Sequence, residues 1–468
     1  MEAVQRIAPQ GKEANMFHSF RDAVLLARRQ PGLYFAVLLD QQTILDAFGP
    51  ASSLWQGWIY TPAVTVWVFL SQCLSPDHSC RDSVARLVAW RVAKGHAPCS
   101  AETGAYCTAR DALPEEACHQ LVCDTGQALE SEAPAEWLWR GRRVRVVDGT
   151  TVTMPDTPQN QAEYPQQKGQ QPGCGFPIAR VLVMFSLAVG TVLEVAISKY
   201  QGKLTGENSL FRSLHHRLKS GDVVLADRYF SGWFDIALLC QRGVDLVLRK
   251  HHLRDTDFRA GQRLGHDDHL VRWNKPQRPK WMSAELYAAL PETLVLREVR
   301  VRVAQRGFRS KCLVIVTTLL NVEDASKDEI AELYRRRWQA ELKLRSLKVT
   351  LQMDHLRCKT PHRVRNELYT HLLAYNLIRR VMALAAIKAG RHPWQISFKG
   401  ALQTLHHFLP LIGSCMPVDS GCTALLDCLA THPVGNRPDR SEPRRVKRRP
   451  KQYKLLQKPR AEYKKRMK

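Results

Sequence analysis

Apolar positions follow two regimes along the chain. Up to roughly residue 140 they recur three and four apart, as on one face of a helix. Ile44–Phe48, Val64–Leu74 and Val84–Val92 show this spacing, and Gly49-Pro50 and Ser75-Pro76 interrupt it. A further helix is expected to start near Pro114, because proline suits the first helical position. From Arg143 onward β-branched runs take over. Val144, Val146 and Val147 lead into Asp148-Gly149-Thr150, and Ala179–Val189 and Leu193–Ser198 follow as strands. Glu207–Leu218 has helical spacing, and Asp222–Ala226 reads as a buried strand ending at Asp227. Phe234–Arg242 is a short helix and Val244–Leu248 another strand. The predicted order is β-β-β-α-β-α-β, with carboxylates delivered at two strand ends. In open α/β sheets, function gathers at such places.

Residues 250–316 break the alternation with polar, basic and aromatic side chains. Within them Thr293–Val303 alternates cleanly, and Lys311–Thr318 is strand-like, which predicts an antiparallel β insertion. Ser326-Lys327-Asp328-Glu329 is a capping box that starts a helix. Thr360-Pro361 opens another, running to about Gly390, and the segment from 401 to 430 is partly helical. The expected division is a helical N-terminal region (1–140), an α/β core (141–250 and 317–395), the β insertion (251–316), a C-terminal helical region (396–440) and a tail (441–468).

Composition narrows the class. The chain has 468 residues, 44% of them hydrophobic, which excludes wholesale disorder. Its 69 Lys and Arg against 44 Asp and Glu leave a net charge of +25, which points to nucleic acid first and an anionic membrane second. The tail 441–468 carries +11 of this, with three prolines and few apolar residues, and is expected to be disordered when free. The other +14 belongs to the folded part. Prolines and glutamines interrupt the uncharged stretch Ala47–Pro76, and Val181–Leu193 is too short to span a bilayer, so no membrane role is expected. The 13 cysteines are odd in number and contain no Cys-x-x-Cys pair, which suits free thiols in a reducing cytosol. Cys118-His119 with Cys123 is a weaker alternative as a metal contact. His266-Asp267-Asp268-His269 is read as a solvated turn before a metal cluster. No phosphate-binding loop, dinucleotide fingerprint or Gly-x-Ser-x-Gly element occurs.

The capped helix carries the chemistry. At about 100° per residue, Tyr334, Arg337, Glu341 and Lys348 fall within a stripe about 60° wide. Ile330, Leu333, Ala340, Leu344 and Leu347 form an apolar stripe beside it, so the polar one borders the buried face. A solvated face with an Arg337–Glu341 ion pair would have the same spacing. Asp148, Asp227 and Glu341 together offer hard oxygen ligands suited to two divalent cations, which can serve an in-line phosphoryl displacement.

At these residues the chain resembles the IS-four family of DDE transposases. The pattern Tyr-x2-Arg-x3-Glu-x6-Lys is met by Tyr334, Arg337, Glu341 and Lys348. Asp148-Gly149-Thr150, Ala226-Asp227-Arg228-Tyr229-Phe230, Lys359-Thr360-Pro361 and Tyr106-Cys107-x-Ala109-Arg110 match as well. The resemblance spans roughly residues 60–385. It implies a ribonuclease H-like catalytic core with a β insertion between the second Asp and the Glu. It also implies cut-and-paste DNA transposition, with Asp148, Asp227 and Glu341 as the metal-binding catalytic triad and Tyr334, Arg337 and Lys348 as DNA contacts. Two Mg²⁺ ions per site, replaceable by Mn²⁺, a hairpin intermediate and strand transfer into target DNA follow from the same likeness. So do inverted-repeat ends and target DNA as partners, an N-terminal region (1–140) that helps recognise the inverted repeat, a homodimer across paired ends, and a cytoplasmic, nucleoid-associated place in a bacterium. Some relatives clamp a flipped base with an aromatic from the insertion. Here Cys312-Leu313 stand at that point, and Trp273 or Trp281 could substitute or simply pack the hairpins. A non-catalytic DNA-binding regulatory relative is the alternative function, and the intact triad argues against it.

Overall fold

The computed structural model describes residues 38–50, 59–302, 312–412, 415–435 and 454–465. The first helices are α1 (Gln41–Phe48), α2 (Pro62–Leu74), α3 (Cys80–Ala93), α4 (Gly104–Asp111) and α5 (Glu115–Ser131). Asp40, Thr61 and Ser79 start α1, α2 and α3 by accepting from backbone N–H groups three residues on. Pro114 is the cap of α5 and not its first residue, as its extended backbone shows. Helix α2 is apolar nearly all round and buried on nearly all sides, as such a pattern requires. Tyr106 and Arg110 are buried, and both donate to Gln72 Oε1, tying α4 to α2.

The chain then builds β1 (Val144–Thr153), α6 (Pro158–Glu163), β2 (Ile178–Ser186), β3 (Val192–Lys199), α7 (Glu207–Leu214), β4 (Val223–Ala226), α8 (Trp233–Gln241) and β5 (Asp245–Arg249). The insertion adds β6 (Gln262–Gly265), β7 (Asp268–Asn274), α9 (Ala284–Ala288), β8 (Thr293–Arg302) and β9 (Cys312–Thr317). All nine strands form one sheet, ordered β3-β2-β1-β4-β5-β9-β8-β7-β6. Strands β1, β4 and β5 are parallel, and the remaining pairings are antiparallel. The insertion therefore continues the sheet through β9, which pairs with β5.

Alternating side chains feed two cores. Val144, Val146, Val183, Val223 and Leu225 face the larger one, under the N-terminal and C-terminal helices. Val147, Leu182, Met184, Val224 and Ala226 face the other, under α7 and α8.

Two sequence expectations need correction. Asp148 is not at a strand end: β1 continues to Thr153, paired with β2 throughout. Its parallel partner β4 reaches only Val146, so Asp148 projects just past the end of β4. The capped helix is also not continuous. The capping box is present at α10 (Lys327–Arg335), but the backbone tightens at Arg336 and Arg337 before α11 (Trp338–Arg345), then widens into a π turn at Ser346–Thr350. The backbone N–H groups of Arg337, Gln339 and Ala340 bond three residues back instead of four.

Helix α12 (Pro361–Lys388) is buried along most of its length, and α13 (Phe398–Phe408) and α14 (Val418–Ala430) pack on it. In the basic tail, α15 (Arg460–Lys465) is a short exposed helix where composition predicts disorder, and residues 441–453 and 466–468 lie outside the described residues. No described helix is long and apolar enough to cross a membrane.

Arg145 braces the root of β1. Its buried guanidinium bonds Glu130 of α5 and, at 3.2 Å, Asp222 before β4; both carboxylates are buried. Among the described residues, Arg145→Met removes the cation paired with both. It should lower the unfolding free energy by about 3–5 kcal/mol, as for other broken buried pairs. Urea titration measures this, and a loss below about 1 kcal/mol would contradict the bracing role.

Candidate active site

The site lies where β4 stops and β1 goes on. Asp148 projects toward the larger core from β1, following the alternation of Val144 and Val146. Its Oδ1 accepts from the Gly149 N–H at 3.0 Å. Asp227 follows the last residue of β4, and its Oδ1 accepts from Tyr229 N–H at 2.7 Å, capping a short 3₁₀ turn at Arg228–Phe230. Glu341 is in the first turn of α11, which packs against β1 through Ala340 and Leu344.

These groups act on one another. Burial, above all, pushes the Asp148 carboxyl up to about 6; Asp227 and Glu341 add to this, and Arg337 opposes it. Arg337 Nη2 donates to Glu341 Oε1 at 2.7 Å. Its side chain is 17% exposed against 40% for Glu341, so the pair borders the interior. Burial works against the Arg337 charge, but Tyr334, Glu341 and Asp148 outweigh it and raise its pKa. Tyr334 is buried; burial chiefly raises its hydroxyl to about 12, with Asp227 contributing and Arg337 opposing. The tightened turn at Arg336 and Arg337 sits between Tyr334 and Glu341, yet both remain beside Arg337. Five of the six signature residues thus share one electrostatic cluster. Lys348 lies on the π turn, half-buried, and no described hydrogen bond or ion pair joins it to the others.

The donor set suits a hard divalent cation. It offers carboxylate oxygens, at least one raised in pKa by burial and by neighbouring negative charge, with Arg337 among them. Sequence reasoning missed two neighbours. Glu207, the first residue of α7, accepts from Arg180 of β2 at 3.1 Å, next to Gly149. Only tertiary packing brings them there.

The other candidates resolve differently. Asp268 and His269 are buried and not solvated: Asp268 takes both a 2.8 Å and a 2.6 Å bond from Arg297, while Asp267 forms the turn. Trp273 is buried, donates to Glu298 at 3.2 Å and lies under Arg254, so it packs the insertion. Trp281 lies under Arg212, 3.8 Å from its ring centre. His119 and Cys123 of α5 meet Glu194 of β3, with ligand atoms within 4.8 Å of one another, whereas Cys118 packs in the core. Glu194 already accepts from His119 at 2.5 Å, Arg217 at 2.7 Å and the Val195 N–H at 3.0 Å. The cluster is a satisfied polar bridge between α5 and β3.

The chain matches the transposase DDE domain family over residues 139–377, just over half its length. Transposase InsG of insertion sequence element IS4, from Escherichia coli K12, is 26% identical over 404 residues, which cover 83% of this chain and 85% of that protein. The transposase of insertion sequence element IS421 from Escherichia coli is 38% identical over 65 residues, 14% of this chain and 18% of its own. A solved piggyBac transposase synaptic complex with hairpin DNA aligns with 92% of this chain and 78% of its own at 10% identity, with a TM-score of 0.37, too slight a likeness to argue from.

The raised Asp148 pKa has a thermodynamic consequence. Folding favours its protonated form, so the ionised form destabilises the fold increasingly as pH rises from 3.8 to about 6, and fully above that. Asp148→Asn should therefore raise the thermal midpoint in metal-free buffer at about pH 8, by up to about 3 kcal/mol in stability. The gain should vanish near about pH 4. Calorimetry at the two pH values checks this; an equal effect at both would contradict it.

Proposed function

The chain belongs to the transposase DDE domain family and is a transposase, an enzyme acting on DNA, and from that premise we propose how its own residues divide the work. The reaction is cut-and-paste transposition, with Asp148, Asp227 and Glu341 as the catalytic carboxylates. The observation that carries this is their convergence: β1, the end of β4 and α11 bring three carboxylates under mutual repulsion, with Arg337 among them. The sheet order β3-β2-β1-β4-β5 supports a ribonuclease H-like core, with β6 to β9 as its insertion.

The family's DDE domain implies dependence on a divalent cation. Mg²⁺, as a pair of ions and replaceable by Mn²⁺, fits the all-oxygen donors; when bound, it supplies positive charge to the reacting phosphate and lowers the pKa of water. The protein's residues do the rest. Asp148 and Asp227 are fixed by backbone N–H groups, which orient one oxygen of each and leave the other for ligation. Arg337 can exchange Glu341 for a phosphate and fork onto it, Tyr334 positions that arginine, and Lys348 offers a point charge further along the backbone. Water attacks the phosphodiester at the element end. The freed 3′-OH then attacks the opposite strand to give a hairpin, which is reopened before the 3′-OH joins target DNA. A homodimer holding two inverted-repeat ends suits this sequence of steps. The β insertion supports the bent DNA without Trp273 as a base clamp, since its ring is buried.

Incubation with labelled element-end DNA and Mg²⁺ tests the assignment. Wild type should cut at the end, and Asp148→Ala and Glu341→Ala should each reduce cutting by about 10³-fold or more, on the order of removing one catalytic group. Both should still shift the DNA in a gel. Retained cutting in both variants would overturn the assignment, and cutting without end specificity or joined product would make the protein a general nuclease.

The tail is a separate contributor. With a net charge of +11 over residues 441–468, it adds phosphate contacts of no sequence preference. Its deletion should flatten the plot of log affinity against log salt by several units, at about 0.9 for each phosphate that the tail neutralises. An unchanged slope would place the tail off the DNA path.

A further inference from the structure

Gly149 poses a question that the triad does not answer. It follows Asp148 on β1 and is not among the glycines with positive φ, so its backbone does not require glycine. What it lacks is room. A Cβ there would lie 2.6 Å from Glu207 Cδ, 2.7 Å from Oε1 and 3.0 Å from Cγ. The Glu207 carboxyl therefore rests on β1 in the space a Gly149 side chain would fill, on the α7 face of the sheet, opposite the face to which Asp148 projects.

The placement is held from several sides. Glu207 is the first residue of α7, where the helix dipole favours an acid. Arg180 Nη1 donates to Oε1 at 3.1 Å, while Arg180 Nη2 donates to Tyr200 O at 3.2 Å and its guanidinium lies 4.9 Å from the Tyr200 ring centre. Glu207 Oε2 makes no hydrogen bond to a described residue. On the other side, a Cβ on Gly206 would come 3.8 Å from the Tyr229 hydroxyl, so the start of α7 adjoins the turn after Asp227. Burial, together with the charge of Asp227, raises the Glu207 pKa against the pull of Arg180.

We propose that Glu207 is a fourth carboxylate of the cation site, reaching past the end of β4 from the α7 face, over Gly149, and offering its free oxygen to the divalent cation or to a water on it. Arg180 is a positioning residue, because it fixes the other oxygen. Gly149 keeps the passage open. The assignment rests on the reading of Asp148, Asp227 and Glu341 as the cation site. It explains why the residue after the first aspartate must be the smallest one.

The test uses the full-length protein without DNA and Mn²⁺ as the probe, with bound and free ion distinguished by electron paramagnetic resonance. Glu207→Gln keeps the shape and can still accept from Arg180, so a structural role alone would be preserved. Mn²⁺ affinity should fall about tenfold or more, the usual cost of losing a supporting group at a metal site. The thermal midpoint in metal-free buffer should not fall, and the Mg²⁺ concentration needed for half-maximal end cutting should rise. Gly149→Ala, which pushes the carboxyl away, should weaken Mn²⁺ binding in the same way. Asp148→Asn and Asp227→Asn separate the two readings. If they weaken Mn²⁺ binding and Glu207→Gln does not, the fourth carboxylate is wrong and the triad stands. If neither changes Mn²⁺ binding, or wild type binds none, the cation site itself is misassigned and Glu207 falls with it.

Discussion

Burial of Asp148 beside two further carboxylates, where β4 stops within the sheet, is the constraint on which the rest depends. Asp148, Asp227 and Glu341 come from three elements far apart in sequence, and the charges of the other two add to the burial that raises Asp148. Arg337 bonds the cluster through Glu341. The pKa of Asp148 stays raised even so, chiefly by burial and further by its two neighbours. A fold seeking only stability would replace such a cluster with apolar groups. Its presence in this chain is understandable as preparation for added positive charge.

The scaffold tolerates the cluster by being over-determined around it. Arg145 fixes the root of β1 to α5 and to the start of β4. On α11, the buried Lys343 donates to Ser186 O at the end of β2 at 3.0 Å, although burial and nearby arginines depress its pKa. This anchor is two residues from Glu341. Further along the sheet, β9 joins the insertion to β5, and Arg297 with Asp268 closes its interior. The acidic cluster is thus set between rigid parts, and the groups that contact DNA in the proposal sit on the border of the larger core.

Much of this is legible in the sequence because it depends on local pattern. The valine runs locate β1, β2, β4 and β5, and Ser326 with Glu329 marks the start of α10 correctly. The spacing of Tyr334, Arg337 and Glu341 marks the cluster. A helical wheel nonetheless assumes a continuous helix, and neither Gly nor Pro signals the tight turn at Arg336 and Arg337. That turn is set by packing, with Leu333 and Ala340 both buried on either side of it. The place of Asp148 escapes the sequence for a related reason. Strand β1 continues because β2 is long, and Asp148 stands past the end of β4 because β4 is short, and neither fact belongs to the Asp148 segment. Asp268 and His269 read as a solvated turn from their polarity, but Arg297 of the neighbouring strand β8 pairs with Asp268 inside the insertion. Glu207 has no signal in the sequence, since only the fold puts it against Gly149.

The most direct measurement is anomalous diffraction from crystals of the protein soaked in Mn²⁺. An anomalous peak in contact with Asp148, Asp227 and Glu341 is expected, with Arg337 drawn off Glu341. A peak at His119, Cys123 and Glu194 with none at the end of β4 would contradict it.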